Sequence, residues 1–343
     1  MLRATDAELL ALPKAELHVH LDGSLRPATL AELARERDAP LPVEGEAALR
    51  NHMVVSDARN LEEYLARFEL TLAVMQDAEA LERIAYELAE DHARESVRWL
   101  EVRFCPALNT RGDLTADQVL EACLAGLARA EEDFDIRTRV IVCGLRTLEP
   151  SVSVEMAELA VAFRARGVVA FDLAGAEKGY PVRDHLEAFR VARRGGLALT
   201  VHAGEGYGTP SLRQAVEEAR ADRLGHGTRL TEDPELMTRV RAEGIALEIC
   251  LTSNVQTRVA LSYGAHPLRR YFDQGLTVSL CTDNRLMSGV TLTDEYVHAR
   301  DDLGFTAREL ARVARMGFES AFAGEEEKAE LLERFDAEMG AMG

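Results

Sequence analysis

The chain has 343 residues, an apolar share of 47% and a formal charge of −19. That length and apolar content suit one large α/β domain or two modest ones and exclude disorder. The negative charge, with no basic run to offset it, excludes a phosphate-binding groove for nucleic acid and favours a neutral small molecule.

The N-terminal stretch MLRATDAELLALPKAEL carries acids within its apolar region and has no small-residue cleavage site, so it is not read as a signal peptide. No uncharged apolar run is long enough to span a membrane. The five cysteines, Cys105, Cys123, Cys143, Cys250 and Cys281, include no CxxC pair and read as reduced thiols of a cytoplasmic protein.

In chain order, β-rich runs alternate with helical stretches. The runs are AELHVHL (15–21), VRWLEVRF (97–104), RTRVIVCGL (137–145), GVVAFDLAG (167–175), LALTVHAG (197–204), DRLGHG (222–227), IALEICLTSN (245–254) and LTVSLCTDN (276–284). Eight strand–helix units predict a closed (β/α)8 TIM barrel of parallel strands. About 75 residues separate the first two runs, which predicts a long helical insertion; a helical tail follows the eighth. No linker-like composition divides the chain, so 1–343 reads as a single domain. Within the insertion, Leu61, Tyr64, Leu65, Phe68, Leu72 and Met75 recur at helical spacing on one face.

Such barrels carry their sites where strands end at the C-terminal edge. The first run ends in His18-Val-His20-Leu-Asp22, the fifth in His202-Ala-Gly-Glu205, the sixth in His226-Gly and the eighth in Asp283-Asn284. Strand alternation points His18, His20 and His202 inward, with Leu17, Val19 and Leu21 facing the helices. Taken singly, each histidine could be a core residue bonded to a carbonyl, and Asp283 could cap a helix. Together, at matching ends of separate strands, three imidazoles and a carboxylate form a ligand set for Zn²⁺ with a place left for water. Zinc brings the pKa of such a water to about 7, and Glu205 is the candidate to move its proton. Cys250 and Cys281 read as core. His52, His92, His185 and His298 read as surface or capping residues, and His266 in GAHPL as ordering a turn.

HVHLDGS, VRWLEVRFCP, FDLAGAE, VHAGE, RLGHG, EICLTSN and SLCTDN, in this order over nearly the whole chain, resemble the adenosine deaminase family. The resemblance implies a mononuclear zinc barrel that hydrolyses the 6-amino group of a purine nucleoside. It implies one zinc on His18, His20, His202 and Asp283. Glu205 would protonate purine N1 as hydroxide attacks C6, and His226 would orient that hydroxide and stabilise its charge. Gly175 N–H would meet purine N3, Asp22 the ribose 5′-hydroxyl, and Leu61, Tyr64, Leu65 and Phe68 would form an apolar cover.

Two positions depart from the family pattern. Asn284 stands where many relatives carry a second Asp, and an amide can donate to purine N7 without holding an extra proton. Cys281 stands where relatives often carry Asn. Adenine and aminodeoxyfutalosine are the alternative substrates within the fold. A nucleoside phosphate would require cations near the 5′ end, where Arg26 is the nearby candidate. A binuclear amidohydrolase would require a bridging lysine within the fourth strand, and Lys178 comes only after its turn. A non-catalytic binding protein would have no use for Glu205 and His226 beside the ligand set.

Overall fold

The computed structural model describes residues 3–55, 65 and 67–342. Eight parallel strands form the central sheet in sequence order: β1 (Lys14–His20), β2 (Val97–Phe104), β3 (Arg137–Leu145), β4 (Val168–Ala174), β5 (Ala198–Ala203), β6 (Arg223–His226), β7 (Ala246–Ile249) and β8 (Val278–Leu280). A parallel bridge between Val19 and Asp283 joins the last edge to the first. There His20 N–H donates to Asp283 O at 2.7 Å, and Asp283 N–H to His18 O at 2.8 Å. The result is the predicted (β/α)8 barrel.

Helices Pro27–Glu36, Glu46–Met53, Phe68–Leu72 and Ala78–Ala93 fill the insertion between β1 and β2. The helical stripe expected along 61–75 is only partly a helix. Its described portion ends at Leu72, Met75 lies in the core beyond it, and Asp77 starts the next helix by accepting from Ala80 N–H. Leu61 and Tyr64 lie outside the described residues. The expected helical tail follows β8, and within it Ala307–Ser320 packs on β8 and β1 as part of the barrel's outer ring.

The seventh run was expected to continue through 254, but β7 stops at Ile249 and Leu251–Gln256 is a helix. Its first N–H groups, at Leu251 and Thr252, donate to Glu295 at 2.7 and 3.0 Å, a distant cap that no local pattern shows. The eighth run likewise shortens to three residues. His92 and His185, expected as surface or capping residues, are both buried, and His185 stands at the N-cap position of helix Leu186–Arg194: His92 Nδ1 bonds Leu88 O and His185 Nδ1 bonds Ser153 Oγ, both at 2.8 Å. Among the described residues no helix is long and apolar enough to cross a membrane.

The barrel interior is charged as well as apolar. Glu16, Glu101, Arg103, Asp172, Arg223 and Glu248 are all buried there. Arg103 joins Asp172 (3.0 Å) to Glu248 (2.8 Å), and Arg223 joins Glu248 (2.7 Å) to Glu101. Buried charges persist only when paired in this way.

Candidate active site

A cavity of about 240 Å³ opens at the C-terminal ends of the strands. It is at the small end of ligand pockets, sized for a small molecule. His20, Asp22, Gly175, His202, Glu205 and His226 line it, as do Asp283, Asn284, Leu65 and Phe68. The sequence-predicted residues that are described are thus brought together, His18 lying directly behind at full burial.

The inward phase of β1 places His18 and His20 over the barrel axis. The ring of His18 leaves no room for a side chain on β6: a Cβ on Gly225 would lie 3.0 Å from His18 Cε1. His226 and Asp283 both adopt positive φ, 62° and 61°. Non-glycine residues seldom hold that conformation unless the surroundings require it, and such positions cluster at functional sites.

Carboxylates hold the imidazoles from behind. His18 Nδ1 lies 2.8 Å from Glu248 Oε2, and His202 Nδ1 lies 2.9 Å from Asp172 Oδ2. Each acid takes the Nδ1 hydrogen and turns a bare Nε2 toward the centre, the arrangement in which histidines bind metals. There His20 Nε2 and His202 Nε2 face each other at 3.1 Å, and His18 Nε2 and His20 Nε2 both lie 3.5 Å from Asp283 Oδ1. Ser253 Oγ donates to the other Asp283 oxygen at 2.6 Å. Buried His18 Nε2 makes no hydrogen bond among the described residues.

Four groups, His18, His202, His226 and Asp283, bring ligand atoms within 4.8 Å of one another. His20 stands beside them at the distances just given, so five residues compete for four positions. Donor chemistry fits a divalent cation: imidazole nitrogen and carboxylate oxygen suit Zn²⁺.

The electrostatics agree. Burial opposes charge on His18, but Asp283 and Glu248 outweigh it and raise its pKa, so the spot attracts positive charge. Burial, with His202 and His18 nearby, keeps His20 well below the usual imidazole range. Asp283 is held low despite burial by the imidazoles around it.

Glu205 follows β5 on a turn that Glu177 organises, accepting from the N–H groups of Gly204, Glu205 and Gly206 at 3.1, 2.8 and 3.1 Å. Glu205 Oε2 lies 3.6 Å from His226 Nε2 across the cavity. Burial pushes Asp22 up to about 7. Asn284 is buried at the rim, whereas Cys281 is buried beside Ser279 and does not line the cavity.

Sequence reasoning missed Asp172, Glu177, Glu248, Ser253 and Asn254. Asp172 and Glu248 carried a signal, each being a lone acid in an apolar strand. Ser253 and Asn254 were hidden by the reading of 245–254 as strand.

Fold and site together define a metal-site (β/α)8 barrel with histidine and carboxylate groups at its C-terminal rim. The adenosine deaminase family profile matches residues 13–338, and the chain belongs to that family. It is 38% identical over 325 residues to an adenosine deaminase from Vibrio atlanticus, covering 95% of this chain and 98% of that protein. It is 41% identical over 313 residues to a probable adenosine deaminase from Dictyostelium discoideum, covering 91% of this chain and 40% of that longer protein.

Among solved structures, an adenine deaminase from Arthrobacter aurescens superposes with a TM-score of 0.89 at 28% identity, covering 95% of this chain and 98% of that one. An amidohydrolase from Burkholderia ambifaria with bound zinc gives 0.87 at 27%, over 99% and 96%. The N6-mAMP deaminase of Arabidopsis gives 0.86 at 31%, over 96% and 99%.

Proposed function

We propose that the protein hydrolyses adenosine and 2′-deoxyadenosine to inosine and 2′-deoxyinosine, releasing ammonia. The observation that carries this reading is Glu205 Oε2 facing His226 Nε2 at 3.6 Å, in the cavity that also exposes His20, His202 and Asp283. A proton carrier thereby stands beside the point where a metal would activate water.

In this reading His18, His20, His202 and Asp283 hold one zinc ion, which supplies a Lewis acid and a water of lowered pKa. Glu205 takes a proton from the attacking water and delivers it to purine N1 as C6 becomes tetrahedral. The second water proton goes to the amino group, which leaves as ammonia, and C6 keeps the oxygen as a carbonyl. His226 hydrogen-bonds the attacking oxygen and steadies its charge. Asn284 donates to N7, Gly175 N–H to N3, and Asp22 accepts from the 5′-hydroxyl. Leu65 and Phe68, which line the cavity, cover the base and keep out bulk water.

Charge favours a nucleoside over a nucleotide. Among the described residues no arginine or lysine lines the cavity. Arg26 is engaged elsewhere, 2.6 Å from both Glu90 and Asp91. Five buried free cysteines suit a reducing compartment, and we assign the enzyme to the cytoplasm.

The test is amine release, ammonia in general and methylamine from N6-methyl-AMP, from zinc-quantified protein with adenosine, 2′-deoxyadenosine, adenine, AMP, N6-methyl-AMP and aminodeoxyfutalosine. Adenosine and deoxyadenosine should turn over fastest with about one zinc per chain. A faster rate with any other member overturns the substrate assignment. Glu205→Gln should lose about 10²-fold or more in kcat while still binding nucleoside. A loss below about threefold removes Glu205 from proton transfer.

A further inference from the structure

The ring of His226 is held from behind by a chain of buried groups that begins at a backbone amide. Leu268 N–H, in the first turn of helix Leu268–Asp273, donates to His266 Nδ1 at 3.1 Å. A main-chain N–H can only donate, so His266 Nδ1 is an acceptor and the ring's hydrogen sits on Nε2. That Nε2–H donates to Asn254 Oδ1 at 3.1 Å, and Thr228 Oγ1 donates to the same oxygen at 2.8 Å. With two donors on its oxygen, the Asn254 amide has one orientation, and its Nδ2 faces His226 Nδ1 at 3.0 Å. An amide nitrogen donates and does not accept. His226 Nδ1 is therefore an acceptor, and His226 Nε2 carries the hydrogen into the cavity.

All three side chains are buried: His226 is 1% exposed, Asn254 0% and His266 3%, so water cannot substitute for any link. Burial also pushes His266 down to about 3, which keeps its ring neutral as this chain of bonds requires.

We infer that Asn254 and His266 are positioning residues that lock His226 in its Nε2–H form, so that it meets the reacting oxygen as a hydrogen-bond donor. The inference rests on the proposed reading for the role of His226. It also settles the competition among five residues for four ligand positions. A nitrogen that bears a hydrogen has no lone pair to give a cation, whereas His18 and His202 present bare Nε2 atoms. His226 is thereby excluded from the ligand set, although its distances to the other ligand atoms alone would admit it.

The inference is tested by ¹⁵N NMR of histidine-labelled, zinc-loaded protein, with His226 assigned from the signal lost in His226→Gln, and by kinetics of Asn254→Asp. Aspartate keeps the shape of asparagine, but its carboxylate accepts on both sides. It takes a hydrogen from His226 Nδ1 and leaves Nε2 bare. Wild-type His226 should give the signature of the Nε2–H tautomer and Asn254→Asp that of Nδ1–H. In the variant kcat should fall on the order of 10²- to 10⁴-fold, with KM within about threefold of wild type.

An Nδ1–H signature in the wild type overturns the inference, whether or not the variant folds. So does a folded Asn254→Asp protein that keeps the wild-type tautomer and kcat. If adenosine is not a substrate but the wild-type tautomer is Nε2–H, the substrate assignment falls and the relay stands.

Discussion

In the proposed reading Asn284 donates to purine N7, where a carboxylate would first have to hold a proton. An amide donates at any pH and so would meet that need without a perturbed acid. The place of Asn284 depends on a neighbour that has no side chain: a Cβ on Gly23 would lie 1.8 Å from Asn284 Oδ1. Gly23→Ala must therefore displace the amide. Misplacement by about 1 Å costs around 10²-fold in catalysis, so kcat/KM for adenosine should fall by at least about 10-fold with zinc content unchanged. A variant as active as the wild type would mean that Asn284 does not contact the base. The pairing of HxH with a later HAGE made most of this site legible in the sequence, because metal ligands must converge and strand alternation says how. The polar groups behind those ligands come from distant strands and follow no local pattern.

Helix Leu251–Gln256 carries both Ser253, which holds Asp283, and Asn254, which holds His226. Glu295 in helix Leu292–Asp302 anchors its first turn, and burial pushes that carboxyl up to about 8, against the hydrogen bonds from Leu251 and Thr252. The folded state thus holds this proton more tightly than the unfolded chain does. The associated stability is fully present below the ordinary glutamate range and is lost as pH rises through about 8. Thermal midpoints should fall between pH 6 and pH 9, and the fall should be smaller in Glu295→Gln, which keeps an acceptor oxygen. Parallel declines in the two proteins would clear Glu295 of the effect. β2 and β3 match their sequence runs residue for residue, whereas the seventh run misleads. Its apolar and β-branched residues continue past Ile249, and the carboxylate that caps the helix there comes from another element.

The whole barrel is a charge-balance problem. The interior cluster sets four carboxylates, Glu16, Glu101, Asp172 and Glu248, against two guanidiniums, Arg103 and Arg223, and Asp283 adds a fifth acid near the rim. A divalent cation among the rim histidines would offset that excess, so the ion should stabilise the fold as well as serve the proposed reaction. Chelation should lower the thermal midpoint and zinc should restore it in a concentration-dependent way, as expected for a ligand of the folded state alone. A midpoint indifferent to chelator would sink this account. Strand–helix alternation made the architecture readable from the sequence, but the charged filling was not, since each interior acid finds its partner on another strand.

The seam between β1 and Asp283 is made by residues proposed to hold the ion: His18 and His20 exchange main-chain bonds with Asp283 while their rings approach its carboxylate. A ribosome releases His18 and His20 long before Asp283 exists. The first strand must therefore wait, one edge unpaired, until nearly the whole polypeptide has emerged. In the proposed reading, metal capture would coincide with the fastening of this clasp, and a chain truncated before Asp283 would lack the clasp.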